Sequence, residues 1–263
     1  MKYINTNKLK KLKINKENAC IVMDFDRTIT ASNSQDSWDA SSHMLGNECK
    51  QEMENMYKFY APIELDYNLN IEEKEKYMVE WYSKCMDLYY KYGMTEEKMK
   101  KSIETSKLIF RNGAKEFIKK AKEYNIPIII LSAGIGNVIE KFLKDNNCYS
   151  ENIYIISNFI EFNENGDMVP FNNTKIIHSL NKKMDNKLPN NIEQKIASKK
   201  YKILVGDLCE DEKMVSEKDW DNTIKIGILN KKIEENLEIY KRKFDIVLTN
   251  EDATFQILNS IIM

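Results

Sequence analysis

From Gly113 to the C-terminal end, continuous apolar runs alternate with amphipathic segments of helical period, a pattern that few folds can satisfy. "GAKEFIKKAKEYN" puts Ala114, Phe117, Ile118 and Ala121 on one helical face. "IPIIILS", "NIYIISNF", "YKILVGD", "TIKIGIL" and "DIVLT" read as strands. "GNVIEKFLKDN", a segment from about Glu210, "KKIEENLEIYKRKF" and "EDATFQILNSII" read as helices, and "FIEFNENGDMVPF" as a hairpin turning at Asn165-Gly166. Strands apolar along their whole length need cover on both faces. The pattern therefore predicts a Rossmann-like α/β core, a mainly parallel sheet with helices on both sides.

The stretch from about Ser34 to Lys107 has almost no strand character. "SWDASSHMLGNECKQEMENMYKFY" and "IEEKEKYMVEWYSKCMDLYYKYG" are helical in period and rich in Met, Tyr and Trp. A structureless connection of that length would be improbable. The expected organisation is a core of residues 1–33 and 108–263 carrying an inserted all-helical cap of residues 34–107.

Charge and composition narrow the function classes. The 263 residues carry a net charge of −1, so there is no basic footprint for nucleic acid. "KLKKLKINKEN" reads as a solvated amphipathic lead-in. No run is apolar long enough to span a bilayer, and the polar, basic N-terminus has no signal-peptide core. Five scattered cysteines without a C-x-x-C pair fit a reducing, cytoplasmic setting. Only two histidines are present, His43 and His178, which excludes a multi-histidine zinc site; both read as ordinary polar residues.

The chemistry collects where predicted strands end: "IVMDFDRT", "IIILSAG" and "KILVGDLCED". In open α/β sheets ligands bind beyond those ends, so Asp24, Asp26, Ser132, Asp207 and Asp211 are expected to converge. Alternation along an extended chain puts Asp24 and Asp26 on one side with Phe25 pointing away. Neighbouring carboxylates repel unless a cation intervenes, and a hard divalent ion, Mg²⁺ foremost, would offset the cluster and draw in a phosphate. Ser132 offers a hydroxyl and Ala133-Gly134 offer backbone N–H groups leading into a helix N-terminus, which suits phosphate oxygens.

"DFDRT" resembles the D-x-D-x-T motif of the haloacid dehalogenase-like superfamily, and "LSAG" and "GDLCED" resemble its second and fourth motifs. Within it the chain resembles the cytosolic pyrimidine 5′-nucleotidases over "EEKEKYMVEWYSK", "IPIIILSAGIGNVIE", "ISNFIEFNENG", "IIHSLNK" and "KIGILNKKIEENLEIYKRKFDIVL". That resemblance implies Asp24 as nucleophile and Asp26 as acid and base. It implies Mg²⁺ on the Asp24 carboxylate, the Asp26 backbone carbonyl and Asp207, with Asp211 steadying them. Ser132 and the Ala133 N–H would hold phosphate, and Thr28 would support the loop. Lys182 in "IIHSLNKK" matches the third motif, with Lys183 adjacent. The insertion would close over the site, where Tyr82, then Trp81, would stack on a base and Glu64 would read its edge. A solvated surface position is the alternative for Glu64. Most of the stripe Met78, Trp81, Tyr82, Cys85, Leu88, Tyr89 and Tyr92 would be cap core.

The chain departs from the family at Leu208, Cys209 and Glu210, at Cys85, and over "ASNSQDSWDASSHML"; Arg27 receives no role. The implied function is a Mg²⁺-dependent 5′-nucleotidase preferring pyrimidine nucleoside monophosphates, acting through an aspartyl-phosphate. Its partner is a small phosphate ester rather than nucleic acid or membrane. The rivals are a phosphatase or phosphotransferase for a sugar phosphate or phosphoserine, and a non-catalytic binding protein.

Overall fold

The computed structural model describes residues 2–66, 68–184, 188–249 and 253–262. The apolar runs form a seven-stranded sheet. Its strands are β1 (Lys2–Ile4), β2 (Ala19–Met23), β3 (Ile128–Ile135), β4 (Ile153–Asn158), β5 (Tyr201–Gly206), β6 (Thr223–Leu229) and β7 (Ile246–Thr249). The order is β1-β7-β6-β5-β2-β3-β4, parallel throughout except for β1 on β7. β2 lies between β3 and β5, so its C-terminal end is flanked by both of their loops.

Strand alternation splits the core into two layers. Ala19, Ile21 and Met23 face one side, together with Phe117, Ile118 and Ala121 of α6 (Ala114–Glu123) and Ile139 and Leu143 of α7 (Gly136–Asp145). Cys20 and Val22 face the other, with Ile196 of α8 (Asn190–Ala197) and Tyr240 of α9 (Ile233–Lys243). α10 (Gln256–Ile262) closes the first layer through Leu258 and Ile262. This is the doubly covered parallel sheet that the pattern predicts. All five cysteines are buried and free.

Between Thr30 and Phe110 the described residues form four α-helices, α2 (Ser37–Ser42), α3 (Asn47–Glu64), α4 (Ile71–Lys91) and α5 (Glu96–Thr105), with a 3₁₀ turn at His43–Leu45. The chain leaves and returns side by side. Ala31 N–H donates to the Ile109 carbonyl and Arg111 N–H to that of Ile29, each at 2.8 Å. Met78, Trp81, Cys85, Leu88 and Tyr89 of α4 are buried, as their helical spacing predicts, while Tyr82 and Tyr92 are half-buried and Met86 joins the core unpredicted.

Local expectations fail where the signal is short. Ahead of the basic lead-in, β1 covers the β7 edge; the lead-in itself is not simply solvated, since it shares α1 (Thr6–Lys11) and sends Leu12 into the core. A three-residue strand carries no periodicity to detect. Instead of a helix from Glu210 there is a tight 3₁₀ segment, Cys209–Met214, because the Leu208 N–H donates to the Asp211 carboxylate and closes the turn. The hairpin at Asn165-Gly166 is present but reduces to a single Phe162–Met168 bridge. The last helix starts at Gln256; Glu251 and Asp252, where it was expected to begin, lie outside the described residues.

Gly227 in β6 meets the Phe244 ring: a Cβ there would fall 2.5 Å from it. Gly227→Ala is expected to cost about 1–3 kcal/mol, read as a lower midpoint in urea unfolding.

Candidate active site

β2 delivers Asp24 to the C-terminal edge of the sheet, where its N–H donates to the Val205 carbonyl and its side chain is almost fully buried. The next residues, Phe25–Ile29, form a wide turn closed by the Thr30 N–H on the Phe25 carbonyl at 3.0 Å. Phe25 points into the core, edge-on to Phe142. Arg27 sits in the left-handed region, at φ 59°, a conformation that persists only when its surroundings hold it. Here Arg111 donates to the Thr28 and Arg27 carbonyls, and Asn230 also donates to that of Arg27. The Thr30 hydroxyl, not that of Thr28, braces the turn by accepting the Arg27 N–H at 2.8 Å. Thr28 Oγ1 has no hydrogen-bond partner among the described residues.

The other strand ends arrive as expected. Lys182 Nζ lies 2.9 Å from Asp24 Oδ1 and 2.5 Å from Asp211 Oδ1, and the side chain is buried. Lys183 is exposed, which resolves the ambiguity between the two lysines. The Lys182 loop is anchored by Asn158 at the end of β4, whose amide bonds the Ile177 N–H and carbonyl. Ser132 Oγ accepts the Gly134 N–H at 3.0 Å, so its own proton remains available to a ligand. Asp24, Asp207 and Asp211 each offer an oxygen within 4.8 Å of the other two.

Charge explains what this cluster would take. Three carboxylates against one ammonium leave two negative charges uncompensated. Burial raises the Asp24 pKa despite the opposing pull of Lys182. Burial, then Asp24 and Asp211, raises that of Asp207 well above the usual carboxylate range. Burial works against the Lys182 charge, but Asp211 and Asp24 outweigh it and raise its pKa. A hard divalent cation with oxygen donors fits such a set.

Asp26 stands apart from those three. Its Oδ1 accepts the Ser37 N–H at 2.8 Å and its Oδ2 the Ser37 hydroxyl at 2.6 Å. Its carboxyl is therefore committed to the first turn of α2, and any metal contact from Asp26 would have to come from its backbone. Burial, then the neighbouring Asp36, pushes the Asp26 pKa up to about 8. Gly134 makes this approach possible, since a Cβ there would lie 1.9 Å from Ser37 Oγ and 2.7 Å from Asp26 Oδ2. Arg27 also gains a role. It pairs with Asp36 at 2.9 Å, and Asp36 caps α2 by accepting the Asp39 N–H.

Above these groups lies a cavity of about 520 Å³ whose far wall comes from α2, α3 and α4. Glu64 lines it rather than facing solvent, and Tyr82 Oη donates to Glu64 Oε1 at 3.4 Å. Burial raises the pKa of both groups. Trp81 borders the cavity but is stacked on Tyr60, with ring centroids 5.7 Å apart, so much of it is helix-pair core. Trp38 meets Tyr82 edge-on at 5.6 Å and also lines the wall. No motif or periodicity marks Trp38, Ser37, Asn158, Arg111 or Asn230. Ser37 and Trp38 fall in the segment that resembles the family least.

The sequence model of the pyrimidine 5′-nucleotidases (UMPH-1) matches residues 28–263. The 7-methylguanosine phosphate-specific 5′-nucleotidase of Mus musculus is 31% identical over 250 residues, covering 92% of this chain and 83% of the relative. That of Drosophila melanogaster is 30% identical over 244 residues, covering 89% and 76%. A crystal structure of cytosolic 5′-nucleotidase IIIB bound to cytidine superposes with a TM-score of 0.80 at 27% identity, covering 98% of this chain and 88% of that one. A substrate-bound phosphoserine phosphatase shares the fold, with a TM-score of 0.58 at 19% identity over 93% and 98%.

The raised Asp26 pKa has a consequence for stability. Between the ordinary carboxylate value and about 8, folded Asp26 keeps a proton that the unfolded chain releases. The folded state then binds more protons, so stability falls as pH rises through that window. With divalent cations chelated, the melting temperature of the wild type relative to Asp26→Asn is expected to drop from pH 5 to pH 8, followed by circular dichroism.

Proposed function

The chain belongs to the pyrimidine 5′-nucleotidase (UMPH-1) family and is a phosphoric monoester hydrolase, and on that premise we propose that its site hydrolyses nucleoside 5′-monophosphates, pyrimidines first, with Mg²⁺. The observation that carries the proposal is the placement of Asp24, Lys182 and Asp207 on the floor of a cavity walled by aromatic and acidic side chains, with Asp211 buried behind them.

Asp24 is the nucleophile. Its carboxylate oxygen bonds phosphorus while the P–O5′ bond breaks, giving an aspartyl-phosphate. Asp26, which holds a proton at neutral pH, passes it to the departing O5′. Once ionised, it takes a proton from the water that cleaves the intermediate and restores Asp24. Lys182 offsets charge on the phosphoryl oxygens, and the Ser132 hydroxyl and Ala133 N–H hold them. Mg²⁺ would be held by Asp24, Asp207 and the Asp26 carbonyl, with Asp211 behind them, and would supply positive charge to the transferring phosphoryl group. Helices α2–α5 act as the cap of a core made of residues 1–33 and 108–263. The cap excludes water and reads the base through Glu64 and Tyr82, with Trp81 and Trp38 beside them. The cytoplasm is the proposed setting, because the structural relative is named cytosolic. No helix among the described residues is long and apolar enough to cross a membrane.

A second substrate reading has an observation of its own. Trp38, Tyr57, Trp81 and Tyr82 line the wall together with Asp39, Glu54 and Glu64. An aromatic, acid-rich wall suits a cationic ring, and the 7-methylguanine of the substrates named for the relatives is one.

Phosphate release should be measured on cytidine, uridine, guanosine and 7-methylguanosine 5′-monophosphates and phosphoserine, with and without Mg²⁺. Cytidine or uridine monophosphate should be fastest, and Asp24→Asn should abolish turnover. A preference for 7-methylguanosine monophosphate would select the second reading, and phosphoserine alone would remove the nucleotide assignment. Gly134→Ala should lower kcat by about 10²-fold, because the new methyl group displaces Ser37 from Asp26.

A further inference from the structure

Lys74 is a buried cation, 2% exposed, in the first turn of α4. That is an unfavourable place for positive charge, since the helix dipole prefers anions there; Glu72 and Glu73 occupy the same turn. Its ammonium is directed elsewhere. Nζ donates to the Glu64 carbonyl at 2.8 Å and lies 3.4 Å from Glu210 Oε1. Glu210 is itself 8% exposed and sits in the turn after β5, between Asp207 and Asp211. A buried ion pair of this kind rarely stabilises more than apolar residues of the same size would, so its contribution is sought in the position it fixes.

Glu64 is the last residue of α3, and a helix leaves its final carbonyls without internal partners. This turn is weakened further by Pro62, which has no N–H to give to the preceding turn. Lys74 supplies the missing donor, with the charge that suits a helix C-terminus. The residue held this way is the one whose side chain faces the cavity and meets Tyr82. Glu210 in turn ties Lys74 to the loop that carries Asp207 and Asp211.

We propose that Lys74 and Glu210 form a buried strut that positions Glu64 over the site, making both residues determinants of base selectivity without contact with the substrate. The inference rests on Glu64 reading the base. It gives a role to Glu210, one of the residues at which this chain departs from its family. The strut links recognition to catalysis: the loop that places the acidic cluster also sets where the base-reading carboxylate stands.

The test uses the Mg²⁺-loaded enzyme and two probes. The KM for cytidine 5′-monophosphate reports the whole substrate, and competitive inhibition by inorganic phosphate reports the phosphate end alone. Lys74→Met is expected to raise that KM about tenfold, the loss of a hydrogen bond from a charged donor, while the phosphate inhibition constant stays within about twofold. Glu210→Gln keeps an acceptor for Lys74 and should raise KM about threefold. The double variant Lys74→Met/Glu210→Leu leaves no unpaired buried charge and should reproduce the single Lys74 effect if Lys74→Met alone folds poorly. Glu64→Gln is the control for the premise. If it shifts KM while the Lys74 and Glu210 variants do not, the strut is overturned and the base-reading role of Glu64 stands. If Glu64→Gln leaves KM unchanged, that role fails and takes the inference with it. Parallel rises in KM and in the phosphate inhibition constant would also overturn it, by showing a general distortion of the catalytic loop.

Discussion

The buried ammonium of Lys182 between Asp24 and Asp211 is the contact on which the site depends. Without it three carboxylates would stand together at the edge of an apolar sheet, and burial would drive them towards their neutral forms. With it, Asp24 has a charged partner at 2.9 Å. The remaining negative charge is of the size that a divalent cation offsets. The parallel sheet supplies the geometry: β2 is central, and the loops after β3, β4 and β5 meet at its C-terminal end.

A second set of contacts joins the sheet to the helices above it. Asp26 is held by Ser37, Arg27 by Asp36, and both partners belong to the start of α2. Asp26, the proposed acid and base, is thus oriented by the helical insertion rather than by the strand it follows. On that proposal, any movement of α2 would also move Asp26. The left-handed backbone at Arg27 serves the same end. It turns the chain sharply enough for the two sets of residues to face one another, and Arg111 and Asn230 hold the turn from behind.

Much of this was legible in the sequence, for identifiable reasons. Continuous apolar strands and amphipathic helices are periodic, so the doubly covered sheet and the buried face of α4 could be read directly. Asp24, Ser132, Asp207 and Asp211 were legible because polar residues at the ends of apolar strands are expensive unless used. Lys182, Glu64 and Tyr82 depended on resemblance, since a lysine in a loop or a glutamate at a helix end has no local signature. What stayed hidden was set by tertiary approach. Ser37 is an ordinary serine until Gly134 lets it reach Asp26. Lys74 is one lysine in a charged helix until it meets the Glu64 carbonyl. The 3₁₀ segment at Cys209–Met214 replaced the expected helix because the Asp211 carboxylate takes the Leu208 N–H while the Asp211 N–H returns to the Leu208 carbonyl, which tightens that turn.

In the proposed mechanism Asp24 carries the phosphoryl group during turnover. The most direct measurement is to acid-quench the enzyme while it turns over a nucleoside monophosphate and map the phosphorylated peptide by mass spectrometry. The expected result is a phosphoryl group on Asp24, acid-stable and lost in base, absent when Mg²⁺ is chelated. A phosphoryl group on any other residue, or none while nucleotide is being hydrolysed, would contradict it.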